Sequence, residues 1–138
     1  MNIVKLLIPK SMTASLEENC TLRQGLEKMR HHGYTAIPVI DSEGEYKGTL
    51  SEGDFLWSMV DRNDFSMRSQ EDVKIKEILK KDELPPLHID AGMAQIVMDI
   101  MERNFSPVVD DRNKFVGIVT RRDVLRHLSD AYFRVSET

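Results

Sequence analysis

The chain has 138 residues, 19 Lys+Arg against 23 Asp+Glu, a formal charge of −4, 41% hydrophobic residues and one cysteine. That length makes one ordinary domain or two small ones sharing a core, and it buries roughly two thirds of the unfolded surface. The acidic balance argues against a general nucleic-acid binder, and the lone Cys20 excludes an internal disulfide or a multi-cysteine zinc site. The longest early apolar run, Leu6 to Ile8, is far short of the ~20 residues a membrane helix needs. A cytoplasmic chain with neither a membrane nor a nucleic-acid partner is expected.

In chain order, Ile3 to Ile8 reads as a short amphipathic lead-in helix. An extended segment at 14–16 precedes a helix that starts after Thr21, where Thr21 and Gln24 match a capping box. Its apolar stripe is Leu22, Leu26 and Met29, and Gly33 stops it. Two strands, about 36–40 and 46–51, follow around the turn Asp41-Ser42-Glu43-Gly44, and then a helix over 53–60. Polar residues 61–72 form a connection, and Lys74 to Lys81 reads as a second lead-in helix. The order then recurs. An extended segment at 86–89 leads to a helix begun by Asp90 or a neighbour, striped by Met93, Val97, Ile100 and Met101, with Asn104 in the helix-ending place of Gly33. Strands at about 106–109 and 114–120 flank Asp110-Asp111-Arg112-Asn113, and a helix covers 121–133.

This recurrence is an internal repeat. Pro38-Val39-Ile40-Asp41 and Gly48-Thr49-Leu50-Ser51-Glu52-Gly53-Asp54 return 69 residues later as Pro107-Val108-Val109-Asp110 and Gly117-Ile118-Val119-Thr120-Arg121-Arg122-Asp123. Upstream, Leu16, Asn19, Leu22, Leu26 and Met29 align at an offset of 71 with Leu87, Asp90, Met93, Val97 and Ile100, so the second copy is two residues shorter before Pro107. Each copy is βαββα, and neither is large enough to be comfortable alone, so the two are expected to pack together. The division is 1–60 for the first repeat, 61–72 for the connection and 73–138 for the second.

With "GYTAIPVID" and "GTLSEGD" in one copy and "SPVVD" and "GIVTRRDVL" in the other, the chain resembles tandem CBS-domain proteins, the pair called a Bateman module, over nearly its whole length. The resemblance implies an α/β fold of two CBS repeats packed as a pseudo-twofold pair. It also implies a regulatory homodimer that binds adenosine-containing ligands in the cleft between repeats. The family pattern has its glycine at Gly48 and Gly117, its hydroxyl at Ser51 and Thr120, and its carboxylate at Asp54 and Asp123. One departure is the shortening before Ser106-Pro107, where the family's first strand lines the adenine pocket; it implies an altered base slot. The small format and the "GYTAIPV" and "TRR-x-VL" strings are also similar to bacterial CBS proteins that bind cyclic di-AMP.

Physical chemistry gives the motif a role of its own. A strand that ends in a hydroxyl and turns into a helix offers free N–H groups and the positive end of a helix dipole to an anion. Thr120, Arg121 and Arg122 are the candidate phosphate contacts, and Asp123 is the candidate acceptor for ribose hydroxyls. On spacing alone, Thr120-x-x-Asp123 and Ser51-x-x-Asp54 are equally ordinary capping boxes. Repetition of the whole block favours the ligand reading. Charge separates the copies: residues 43–57 sum to −3 and residues 112–126 to +4, so phosphates are expected at the second motif. Tyr34, Thr35, Ala36, Ile37 and Pro38 are candidates for an adenine slot, with core burial the competing role for Ile37 and Pro38.

Other signals carry less. His31-His32 point to different helix faces, and His88 and His127 read as solitary, so no metal site is expected. Trp57 is either a dimer contact or buried. No nucleophile elbow, Walker loop or zinc-protease motif is present, so neither enzymatic activity nor a cofactor is expected. The sequence therefore points to a regulatory module that senses AMP, ADP or ATP and transmits occupancy to a partner protein. A cyclic di-AMP receptor is the alternative within that class, and a dimeric scaffold with empty clefts the alternative outside it.

Overall fold

The structure, a computed structural model, describes residues 3–80 and 84–136, the side chains of 135 and 136 excepted. After a 3-10 turn at Ile3–Lys5, the elements are β1 (Ile8–Pro9), a 3-10 turn at Lys10–Met12, β2 (Leu16–Glu17), α1 (Leu22–His32), β3 (Ala36–Ile40), β4 (Tyr46–Ser51), α2 (Glu52–Arg62), α3 (Met67–Asp72), α4 (Ile75–Ile78), β5 (Leu87–His88), α5 (Met93–Ile100), β6 (Phe105–Val109), β7 (Phe115–Thr120) and α6 (Arg121–Ser136). The protein is thus of the mixed α/β class, with the βαββα order present twice. None of the described helices is long and apolar enough to cross a membrane.

The chain divides into two compact units, residues 14–85 and residues 1–13 with 86–138. The divisions 1–60, 61–72 and 73–138 follow the order of repeated segments, and the compact units are cut differently. In the first-copy unit, β2 runs parallel to β3, which pairs antiparallel with β4. Leu16, Leu22, Ile37, Val39, Leu50, Phe55 and Ile75 form its core. In the second-copy unit, β5 is parallel to β6, which is antiparallel to β7, and β1 adds antiparallel to the free edge of β7. Its core contains Ile3, Leu6, Leu87, Ile96, Ile100, Val108, Val119 and Val124. Each such side chain stabilises its unit by roughly 1.5–3 kcal/mol.

The lead-in segments depart from expectation. Residues 3–8 form a single 3-10 turn and then a strand, and Ile3 and Leu6 enter the core of the second copy, not the first. The approach depends on Gly117, at φ +156°, because a Cβ there would lie 2.2 Å from the Ile8 carbonyl oxygen. The other lead-in is helical only over Ile75–Ile78, and Ile75 is buried in the first-copy core; Lys81 lies outside the described residues. The 61–72 connection is largely helical. α2 runs on to Arg62, and Ser66 caps α3, which packs on α1 with Arg23 2.6 Å from Glu71.

The first helices of the copies also differ. Thr21 and Gln24 form the expected capping box on α1, and Gly33 ends it at φ 69°. α5 has no side-chain cap, starts at Gly92, and ends through Met101 in the right-handed region. Asn104 is therefore not the helix stop. Without a glycine to adopt the left-handed conformation, the chain leaves α5 after eight residues, which is where the two-residue shortening falls. The β3–β4 and β6–β7 turns match: Asp41 accepts from the Glu43 and Glu45 N–H groups as Asp110 does from Arg112 and Lys114. Those backbone bonds, the one from Lys114 first, hold the Asp110 carboxyl below the usual carboxylate range.

Candidate functional site

Both copies place their motif where the last strand turns into the last helix. In each, the first helical residue ties the corner to the residue just ahead of β3 or β6: the Glu52 N–H donates to the Thr35 carbonyl at 2.9 Å, and the Arg121 N–H to the Asn104 carbonyl at 2.8 Å. In each, the hydroxyl caps the helix, Ser51 Oγ accepting from the Asp54 N–H and Thr120 Oγ1 from the Asp123 N–H, both at 3.2 Å.

The carboxylates then part company. Asp54 Oδ2 accepts from the Ser51 N–H at 2.8 Å, completing a capping box. No described residue hydrogen-bonds the half-buried Asp123 carboxylate. The surroundings differ in sign as well. The second corner has a cavity of about 440 Å³ lined by Asn104, Thr120, Arg121, Arg122 and Leu125, whose charged residues are both cationic; Asp123 follows Arg122 in the same helical turn and is not itself in the lining. The cavity beside Asp54, about 460 Å³ along α2 and the segment up to Lys80, has three acidic residues, Asp54, Asp61 and Glu77, against Arg62 and Lys80. A phosphate is favoured at the first cavity and opposed at the second.

The arginines of the second corner do different work. Arg122 is exposed and pairs with no described residue, and its N–H sits in the first turn of the sixteen-residue α6, where helical bonding leaves donors unpaired. Arg121 also lines the cavity but is tethered, its Nε donating to the Ile100 carbonyl at 2.7 Å and its NH1 to Asn104 Oδ1 at 2.8 Å. It braces the end of α5 against α6. Two open carbonyl acceptors lie within its reach, and a guanidinium satisfies both at once.

The expected adenine slot is partly core. Ile37 is fully buried and Pro38 is buried, in keeping with the competing core role; Thr35 is exposed, and Tyr34 and Ala36 are half-buried. The Tyr34 ring lies 5.5 Å from His32. At the corresponding place in the second copy a polar set stands instead. Asp99 pairs with Arg103 at 2.8 Å and accepts from the buried Ser106 hydroxyl. The 69-residue offset puts Arg103, Asn104 and Ser106 opposite Tyr34, Thr35 and Ile37, and that mismatch was the signal by which sequence reasoning could have found them.

His88 is not solitary. Its Nε2 lies 2.6 Å from Asp111 Oδ1, and its Nδ1 accepts from the Asp90 N–H at 3.1 Å. His88, Asp90 and Asp111 lie close enough to share a cation. A backbone donor at Nδ1 leaves the proton on Nε2, however, so both ring nitrogens are committed to hydrogen bonds that pin β5 to the β6–β7 turn. Cys20 is half-buried, and desolvation followed by the nearby Glu17 charge raises its pKa, which keeps the thiol protonated and unreactive.

The repeated corner is the decisive feature, and the family described as CBS domain matches residues 8–61 and 75–130. The chain belongs to the CBS-domain family. Its second CBS repeat carries the open corner and its first the closed one. Cyclic di-AMP receptor B of Bacillus subtilis is 26% identical over 123 residues, covering 89% of this chain and 83% of that protein. An uncharacterized protein of Methanocaldococcus jannaschii is 27% identical over 120 residues, 86% of this chain, and this chain spans 37% of its length. The crystal structure of the Listeria monocytogenes CbpB protein in complex with c-di-AMP superposes with a TM-score of 0.76 at 26% identity, over 96% of this chain and 98% of that one.

Proposed function

We propose that this CBS pair is a regulatory receptor for an adenine nucleotide, with cyclic di-AMP as its ligand. The observation that carries the reading is the corner of the second repeat. An unpaired Asp123 carboxylate stands within one helical turn of a free Arg122, a capping Thr120 hydroxyl and a helix N-terminus, at a corner whose cavity is lined by two arginines. A ribose diol has its acceptor there and a phosphodiester its donors. The relatives support the cyclic dinucleotide. Cyclic di-AMP receptor B and the Listeria CbpB protein both exceed 25% identity over most of this chain, and both are named with that ligand.

A mononucleotide, AMP, ADP or ATP, is the second reading, favoured by one open corner of the repeated motif among the described residues. Isothermal titration with cyclic di-AMP, AMP and ATP separates the two. Micromolar binding of cyclic di-AMP with at least tenfold weaker AMP supports the first reading, AMP or ATP as the tightest ligand supports the second, and binding of none overturns both. The role is binding and not turnover, in the cytoplasm, with occupancy passed to a separate target protein. Such transmission requires the ligand to favour one arrangement of the protein over another. A second copy is the expected neighbour. Leu56, Trp57 and Val60 on α2 and Leu125, Leu128, Tyr132 and Phe133 on α6 are exposed large apolar residues on the last helices of the repeats.

A further inference from the structure

We propose that Asn104 reads the base edge of the bound nucleotide and that Arg121 is its positioning residue, an inference that rests on the adenine-nucleotide reading of the same corner. Asn104 is exposed and lines the cavity, yet it is held at both of its oxygens. The Arg121 N–H donates to its main-chain carbonyl at 2.8 Å, and Arg121 NH1 donates to its side-chain Oδ1 at 2.8 Å. A guanidinium only donates, so the amide atom facing it is the oxygen, and the amide cannot turn over without placing its NH₂ against a cation. Arg121 is itself fixed through Nε to the Ile100 carbonyl at 2.7 Å. The Asn104 Nδ2 donors have no acceptor among the described residues.

The result is an immobilised amide with a donor and one remaining oxygen lone pair. Adenine offers a complementary pair on one edge, a ring-nitrogen acceptor beside the N6 donor, and an asparagine amide meets it with two hydrogen bonds. Guanine reverses the order on its Watson–Crick edge, with O6 accepting and N1 donating. A freely rotating asparagine serves either base by turning over, whereas one locked by Arg121 serves one order only. The first repeat has the shared backbone bond from Glu52 to Thr35 but neither an amide nor a guanidinium at these two positions, so this reader belongs to the second repeat alone.

The test titrates cyclic di-AMP and cyclic di-GMP into the wild-type protein, Asn104→Leu and Arg121→Lys. Wild type is expected to prefer cyclic di-AMP by at least thirtyfold. Asn104→Leu is expected to lose at least tenfold for cyclic di-AMP with little change for cyclic di-GMP, and Arg121→Lys, which keeps the charge but not the fork, to narrow the preference below tenfold. A purely structural Arg121 would lower thermal stability while leaving the adenine-to-guanine ratio intact, and that outcome, or an unchanged ratio in Asn104→Leu, overturns the proposal. If wild type binds no adenine nucleotide, the functional reading falls and this inference with it; binding with unaltered discrimination removes the inference alone.

Discussion

At the end of β4, Ser51 and Asp54 close on each other, hydroxyl to N–H and carboxylate to N–H, while at the end of β7 Thr120 caps its helix and the Asp123 carboxylate is left open. Gly53 stands in one corner where Arg122 stands in the other, and Glu52 where Arg121 stands. The same backbone bond to the residue just ahead of β3 or β6 is present in both. One piece of backbone geometry thus closes into a full capping box in one repeat and leaves its carboxylate open in the other. What separates the roles is the engagement of one carboxylate and the sign of its neighbours.

The largest expected effect breaks the comparison at its edge. Gly117→Ala puts a Cβ against the Ile8 carbonyl, so β1 must move off β7 or the sheet must distort. Chemical denaturation is expected to show a loss of about 2–3 kcal/mol, the scale of an overpacked site; a loss under about 0.5 kcal/mol would mean that β1 is not docked on the second repeat. Next is Arg122→Ala. Removing a charge-assisted bond to phosphate, about 1.5–3 kcal/mol, is expected to weaken cyclic di-AMP by at least tenfold in calorimetry, with the melting temperature of the free protein unchanged. Ser51→Ala is the smallest. It opens the first-repeat box, costs about 1 kcal/mol of helix capping, lowers the melting temperature by a few degrees, and leaves the ligand affinity as it was; a matching loss of affinity would make the first corner part of the site.

Much of this was legible from the 69-residue offset. The strands at 36–40 and 46–51, the Thr21 capping box, the Gly33 stop and the opposed charge of the corners follow from spacing, turn chemistry and residue type. The fates of the lead-ins were not, because local periodicity says that Ile3, Leu6 and Ile75 are apolar and nothing about which core receives them. Docking depends on the missing side chain at Gly117, which meets a strand more than a hundred residues away in sequence. Closed and open boxes share one spacing, so the folded corner alone tells Asp54 from Asp123. Position makes Arg121 a candidate phosphate contact but says nothing of its bonds to the Ile100 and Asn104 oxygens, which are distant in sequence.

The central proposal is that the two equivalent aspartates divide their duties, Asp123 serving the ligand and Asp54 the helix cap, and one paired measurement reaches it directly. Cyclic di-AMP is titrated calorimetrically into Asp123→Ala and Asp54→Ala, with a thermal melt of each free protein alongside. Asp123→Ala is expected to bind at least tenfold more weakly at an unchanged melting temperature, and Asp54→Ala to melt a few degrees lower while binding within threefold of wild type. Equal losses of affinity in the two variants, or a greater loss at Asp54, would contradict it.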